Sequence, residues 1–240
     1  MTSADPIDEF VKRVCEAGGA NIKSVILFGS AVAGDFQPGL SNLNTLCVLG
    51  ESSFRALQAL TPVAKWWYGK KQPPPLCMTR QELERSTDVF TIELLDMQQY
   101  HRVLFGEDSL RDLKIPMHLH RVQVEYELRE KLFLLRQHVL VASDNESRLW
   151  EVLLGSAASF GTLFRHSLIA LGDSTQGGKR GAVQALSQRI GLDASAMLQV
   201  LDVREHKINR KKVDVRDLAA RYLVLVEKVT AAVDAAFDQK

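Results

Sequence analysis

Two asparagines in alternate positions, Asn42 and Asn44, follow a Gly29-Ser30 pair that closes the apolar run Ser24-Val-Ile-Leu-Phe28. Between them the chain reads Ala-Val-Ala-Gly34, and after Ser41 and the asparagines comes a second apolar run, Leu46-Cys-Val-Leu49. Each of these residue types has a chemical use at such a place. Glycine takes positive φ and lets backbone approach a ligand closely. Ser30 offers a hydroxyl and an N–H to phosphate oxygens, and a helix opening after the turn favours an anion at its N-terminus. Residues i and i+2 of a strand project to one face, so Asn42 and Asn44 aim two amides at one point. The plainer reading of the same residues is an ordinary β-turn-β connection with the asparagines in its loop.

Taken together, Gly29-Ser30, Gly34 and Ser41-Asn42-Leu43-Asn44 resemble the G-S…G…S-D-x-D pattern of the DNA polymerase beta-like, minimal nucleotidyltransferase superfamily, and in particular its aminoglycoside and kanamycin nucleotidyltransferase group. The resemblance implies a nucleotide site at Gly29, Ser30, Gly34, Ser41, Asn42 and Asn44, an NTP ligand, and Mg²⁺ as the cofactor of an active member. In that family aspartates stand where Asn42 and Asn44 stand. They hold the Mg²⁺ ions that bridge the triphosphate and stabilise in-line displacement. Amides keep the shape and an acceptor oxygen but remove two negative charges from a site that must concentrate a hard dication. At several kcal/mol per metal contact and ~1.4 kcal/mol per tenfold in rate, the expected loss is on the order of thousands-fold.

The family's third carboxylate lies on a later strand, as metal ligand or general base. Glu93, in Phe90-Thr-Ile-Glu-Leu94, matches by position; Asp88 and Asp96 at the ends of that segment and Asp35 after Gly34 are alternates, and a Glu93 that simply faces solvent is the competing reading. Asn42, Asn44 and Glu93 would form a degenerate metal set, able at best to receive one Mg²⁺ already bound to nucleotide phosphates.

The elements that must position these residues are legible from periodicity. Residues 7–18 predict a helix, with Ile7, Phe10, Val11, Val14 and Cys15 at helical spacing and Gly18-Gly19 as its stop. Strands are expected at 24–28 and 43–49, then a helix over 53–68 that Pro62 kinks or splits. Leu76-Cys-Met78 predicts a short edge strand after Gln72-Pro-Pro-Pro75, and Thr79-Arg-Gln-Glu82 a capping box. Val89–Leu95 reads as the next strand, followed by the turn Phe105-Gly-Glu-Asp108. From Pro116 onward the pattern is helical: Leu128, Leu132, Leu135 and Val139 form one stripe, and Tyr222, Leu225, Val226, Val229, Val233 and Phe237 another. Between them lie helices over 149–171 and 182–190. The expected fold class is α+β, a small mixed-sheet nucleotidyltransferase-like domain over 1–115 followed by an α-helical bundle over 116–240.

Composition narrows the function classes. The 240 residues are 46% hydrophobic and 25% charged, with a net charge of +1, which gives no argument for nucleic acid as a partner. Cys15, Cys47 and Cys77 are odd in number and far apart without a CxxC pair, so they read as buried thiols rather than a disulfide framework or zinc site. The first residues lack a basic n-region and an apolar h-region, and no apolar run approaches eighteen residues, so the expectation is a cytoplasmic protein with no membrane segment. His118-Leu-His120 reads as exposed first-turn histidines rather than a chelating pair. Arg111 and His118 match the spacing of the ribonuclease motif in HEPN domains, but Pro116 interrupts them. The segment Arg204–Arg216, with six Lys or Arg against two acids, reads as a solvated inter-helix loop, and Trp66-Trp67-Tyr68 as a partly buried helix end.

Two functional classes follow. One is a catalytically impaired nucleotidyltransferase-fold protein, a pseudoenzyme, that binds nucleotide, regulates, or serves as a scaffold with a homo-oligomer or protein partner docked through the bundle. The other is an active metal-dependent nucleotidyltransferase that moves NMP from NTP to a hydroxyl of a small molecule or protein, using Glu93. A toxin–antitoxin pairing of the kind known in the wider family stands behind both.

Overall fold

The computed structural model describes residues 6–33, 42–173 and 178–238. Two compact units succeed one another along the chain, divided between Pro116 and Met117. In chain order the first unit is built of α1 (Pro6–Gly18), β1 (Ile22–Phe28), α2 (Ser30–Ala33), β2 (Asn44–Leu49), α3 (Phe54–Gly69), β3 (Leu76–Thr79), α4 (Arg80–Arg85), α5 (Thr91–Gln99) and β4 (His101–Gly106).

The four strands form one mixed sheet in the order β3-β2-β1-β4. β1 runs antiparallel to β2 and to β4, while β2 and β3 are parallel. β1 is central and covered on both faces, which is why its sequence is an unbroken apolar run rather than an alternation. Val25, Leu27, Cys47 and Leu49 face α1 and α3, with Phe10 and Trp67 packed ring to ring at 4.6 Å. Ile26, Leu46 and Val48 face the other way, beneath Leu83 of α4, Leu94 and Met97 of α5, and Leu110 and Leu113 of the following loop.

Local chemistry sets the helix boundaries. Ser53 caps α3 by accepting from the Ala56 N–H at 3.3 Å. Pro62 sits inside α3 without splitting it, contrary to one expectation, and Leu60, Val63 and Trp67 on either side remain buried. Thr79 and Glu82 form the expected reciprocal capping box of α4, with the Thr79 N–H donating to Glu82 Oε2 at 2.7 Å.

The strand expected over 89–95 is not there. Thr91–Gln99 is the helix α5, and the pairing strand is β4, some ten residues later. Val89 and Phe90, whose strand propensity drove that expectation, are 61% and 50% exposed, whereas Leu94 and Met97, three residues apart on a helix, reach the core. β4 ends at Gly106, where φ is +76° and an added Cβ would lie only 1.9 Å from the Lys23 carbonyl oxygen. Only glycine lets β4 lie that close to β1.

The second unit contains, among the described residues, α6 (Met117–Ala142), α7 (Glu146–Leu171), α8 (Gly178–Ile190), α9 (Ser195–Arg204) and α10 (Val215–Asp238). Asn145 caps α7, and Gly172, at φ +90°, ends it. Leu128, Leu132 and Leu135 of α6 and the full α10 stripe from Tyr222 to Phe237 are buried. No helix among the described residues is long and apolar enough to cross a membrane.

Candidate functional site

The ends of β1 and β2 lie side by side, with Phe28 opposite Asn44. Just past Phe28 the chain turns at Gly29, whose φ is +80°. Its carbonyl accepts from the N–H groups of Val32 at 2.9 Å and Ala33 at 3.0 Å, which starts the single turn of α2, and its own N–H donates to the Tyr100 carbonyl at 3.1 Å. An added Cβ at Gly29 would stand 3.3 Å from Asn44 Nδ2. The Asn44 amide therefore packs directly on the glycine turn. With the Gly29 N–H committed to Tyr100, Ser30, which opens α2 and is half-buried, is the candidate hydroxyl donor to an anion at this turn.

Asn44 is the first residue of β2, while Asn42 lies outside the strand and is exposed. Leu43 between them is held by its N–H, which donates to Gln72 Oε1 at 2.7 Å. Gly34, Asp35 and Ser41 lie outside the described residues.

Glu93 occurs in the first turn of α5 and is exposed, not mid-strand, so the positional match that singled it out has lost its basis. Asp88 is exposed in the preceding turn and Asp96 is half-buried within α5. The segment that does pair with β1 brings a different group. His101 stands opposite Phe28 on β4, so Asn44, Phe28 and His101 form one row across three strands, with Asn44 and His101 two strand spacings apart, roughly 10 Å. His101 Nδ1 lies 3.1 Å from the Gln98 carbonyl and Nε2 lies 3.1 Å from Asp108 Oδ1. Both partners are acceptors, so the ring donates to both at once only when it carries two protons.

Asp108 also accepts from the N–H groups of Leu110 and Arg111, each at 3.1 Å. Partial burial works against its ionisation, but the His101 bond and the two N–H donors together hold its carboxyl below the usual range. Of the segment Tyr100–Asp108, only the turn Phe105-Gly-Glu-Asp108 was expected from the sequence, and neither His101 nor Asp108 was a candidate site residue. The signal for it in the sequence is a histidine opening an apolar run that ends in Gly-Glu-Asp, while the strand propensity of Val89–Leu95 points to the wrong segment for this edge of the sheet.

Asn42 and Asn44 supply neutral amides, and among the described residues no group of three or more His, Cys, Asp or Glu is placed to hold a metal ion. Elsewhere, His118 is exposed as expected, but His120 is not: it is fully buried in the bundle, with Nε2 2.9 Å from His166 Nδ1. The α6 helix turns the second residue after His118 inward, since two residues suffice to move a side chain from the outer face toward the core. Exposed Arg111 pairs with Asp108 at 3.5 Å. Most of the basic segment is exposed, with a single 3₁₀ turn at Arg210–Lys212, and its first arginine, Arg204, donates to the Leu154 carbonyl at 2.7 Å. Trp67 is fully buried, Trp66 half-buried and Tyr68 exposed.

No protein-family model matches the sequence, and no curated protein matches it. Among solved structures, spectinomycin adenyltransferase AAD(9) from Enterococcus faecialis, determined with ATP and spectinomycin, is similar with a TM-score of 0.55 over 92% of this chain and 97% of that chain, at 16% sequence identity. The likeness establishes the fold: a nucleotidyltransferase-like α+β arrangement with a helical part.

Proposed function

We propose that this protein is a nucleotidyltransferase-fold nucleotide binder whose transfer chemistry is impaired. The observation that carries the reading is the contact between Asn44 and the Gly29 turn, which supports reading Asn44 as the counterpart of the resembled pattern's aspartate, a neutral amide in place of a charged metal ligand. The left-handed Gly29 and the Ser30 hydroxyl require no carboxylate to receive a phosphate, so binding can outlive catalysis. The structural likeness to a protein determined with ATP supports a nucleotide as the ligand. Thermal shift with ATP, GTP, CTP and UTP, with and without Mg²⁺, tests this: stabilisation by at least one nucleotide that depends little on Mg²⁺ is expected. No shift with any of the four would leave a scaffold role in its place. For a scaffold, the exposed apolar residues Val122, Tyr126, Phe133 and Leu140 along α6 are the proposed surface for self-association, which light scattering on the purified chain would reveal.

The second reading is an active enzyme moving NMP from NTP to a hydroxyl of a small molecule. It is favoured by the same likeness, since that protein was determined with both ATP and spectinomycin. Pyrophosphate release that requires both NTP and an added hydroxyl-bearing acceptor would establish it and displace the first.

A further inference from the structure

All three cysteines of the chain come together against one face of the sheet. Cys47 lies within β2 and is fully buried; Cys77 is its registered neighbour on the parallel strand β3; Cys15 of α1 packs against the same cluster. Adjacent strands lie roughly 4.8 Å apart, inside the separation of roughly 4.4–6.8 Å that a disulfide spans between Cα atoms. Registered partners also project to the same side of the sheet, so the two thiols face one another rather than diverge.

The pair is asymmetric. The interaction between the two neighbouring thiols raises Cys47 and lowers Cys77, and burial raises Cys47 further, while the Cys77 S–H donates to the Pro75 carbonyl at 3.8 Å. Cys77 is therefore the thiol that ionises first. It is also the reachable one: half-buried, it lines a hollow of about 390 Å³ together with Lys65, Tyr68, Pro74 and Pro75. Lys65, lining the same hollow, favours an anionic reagent that enters it.

The geometry points to a reversible Cys47–Cys77 disulfide, formed by exchange with a small disulfide such as glutathione disulfide that enters this hollow. The Cys77 thiolate attacks one sulfur of the reagent, its S–S bond breaks, and one glutathione leaves as thiolate. Cys47 then gives its proton to solvent and attacks the Cys77 sulfur, releasing the second glutathione. Two protein thiols are oxidised and one glutathione disulfide is reduced to two thiols. The second step is the slow one, because Cys47 must lose a proton in the core. At roughly 4.8 Å the paired Cα atoms lie at the short end of the disulfide range, below its usual roughly 5.5–6 Å, and a bond held off its preferred geometry is more readily reduced, which suits a switch rather than a staple. Closing it ties the edge strand β3, and through it α4, to β2.

The test exposes the full chain to glutathione disulfide and then maps its peptides without reduction. The expected result is a fall in free thiols, titrated in denaturant, from three to one, a peptide pair joined through Cys47 and Cys77, and full reversal by dithiothreitol. Cys47→Ala should stop with one glutathionyl group on Cys77, and Cys15→Ser should behave as the unmodified chain. A cross-link that involves Cys15 overturns the proposal. So does a glutathionyl group that persists on Cys77 of the unmodified chain, or three unreacted thiols in the folded protein under conditions that oxidise the denatured one. Mapping on the unmodified chain needs no variant to fold.

Discussion

Asn44 and His120 are both polar residues with a polar or close-packed neighbour, yet their surroundings give them opposite roles. Asn44 lies half-buried at the end of a strand, its amide against the Gly29 turn, where a ligand can approach. His120 is sealed in the bundle with His166 at 2.9 Å, surrounded by apolar helix faces. A polar group at an opening can exchange its partner for a ligand at small cost. One in a core cannot, because losing its partner leaves an uncompensated buried group. The comparison teaches that access, more than residue type, separates chemistry from architecture here; histidine is the more reactive residue, and it is the asparagine that stands at the candidate site.

The largest effect that can break this comparison is expected at the histidine pair. His120→Ala removes a buried hydrogen bond and leaves a void, so it should cost about 2–4 kcal/mol in denaturant unfolding. Nucleotide-induced stabilisation should persist in that variant below its lowered midpoint. A full loss of binding with no loss of stability would reverse the two roles.

Gly29→Ala comes next. At φ +80°, with the new methyl 3.3 Å from the Asn44 amide, it should cost about 1–2 kcal/mol and abolish the nucleotide thermal shift. Retained binding in a stable Gly29→Ala protein would detach the turn from the site.

Asn42→Asp combined with Asn44→Asp sharpens the comparison from the other side, since it restores two charges at nearly constant shape. Mg²⁺ should then stabilise the variant by about 1.4 kcal/mol when present at roughly ten times its dissociation constant, with little effect on the parent. Calorimetry that finds tight Mg²⁺-nucleotide binding in the parent would remove the impaired reading.

The smallest effect concerns Asp108. Its folded-state pKa is depressed, so the stability it contributes is present above the ordinary carboxylate pKa of about 4 and is lost as pH falls through the lowered folded value. The parent should unfold at a higher temperature than Asp108→Asn at neutral pH, and the two curves should converge in acid. Parallel curves down to the lowest pH would show that the His101 and backbone contacts do not depend on the charge.

What the residues determined by themselves were the features carried by neighbours in sequence. The α1, α6 and α10 stripes, the Thr79–Glu82 capping box, and the apolar-run, Gly-Ser, apolar-run order that makes β1, a turn and β2 all rest on local periodicity and short-range hydrogen bonds, and the α+β class with a helical second part follows from them. Tertiary structure decided the rest. Thr91–Gln99 became a helix because Leu94 and Met97 gain burial only at helical spacing, although Val89–Ile92 favours a strand by composition. That His101 joins the row of Phe28 and Asn44, which histidine is buried, and that Cys47 lies opposite Cys77 are matters of register and packing between segments distant in sequence. Register is set by how whole faces bury against one another, and that information is spread over many residues rather than written at any one of them.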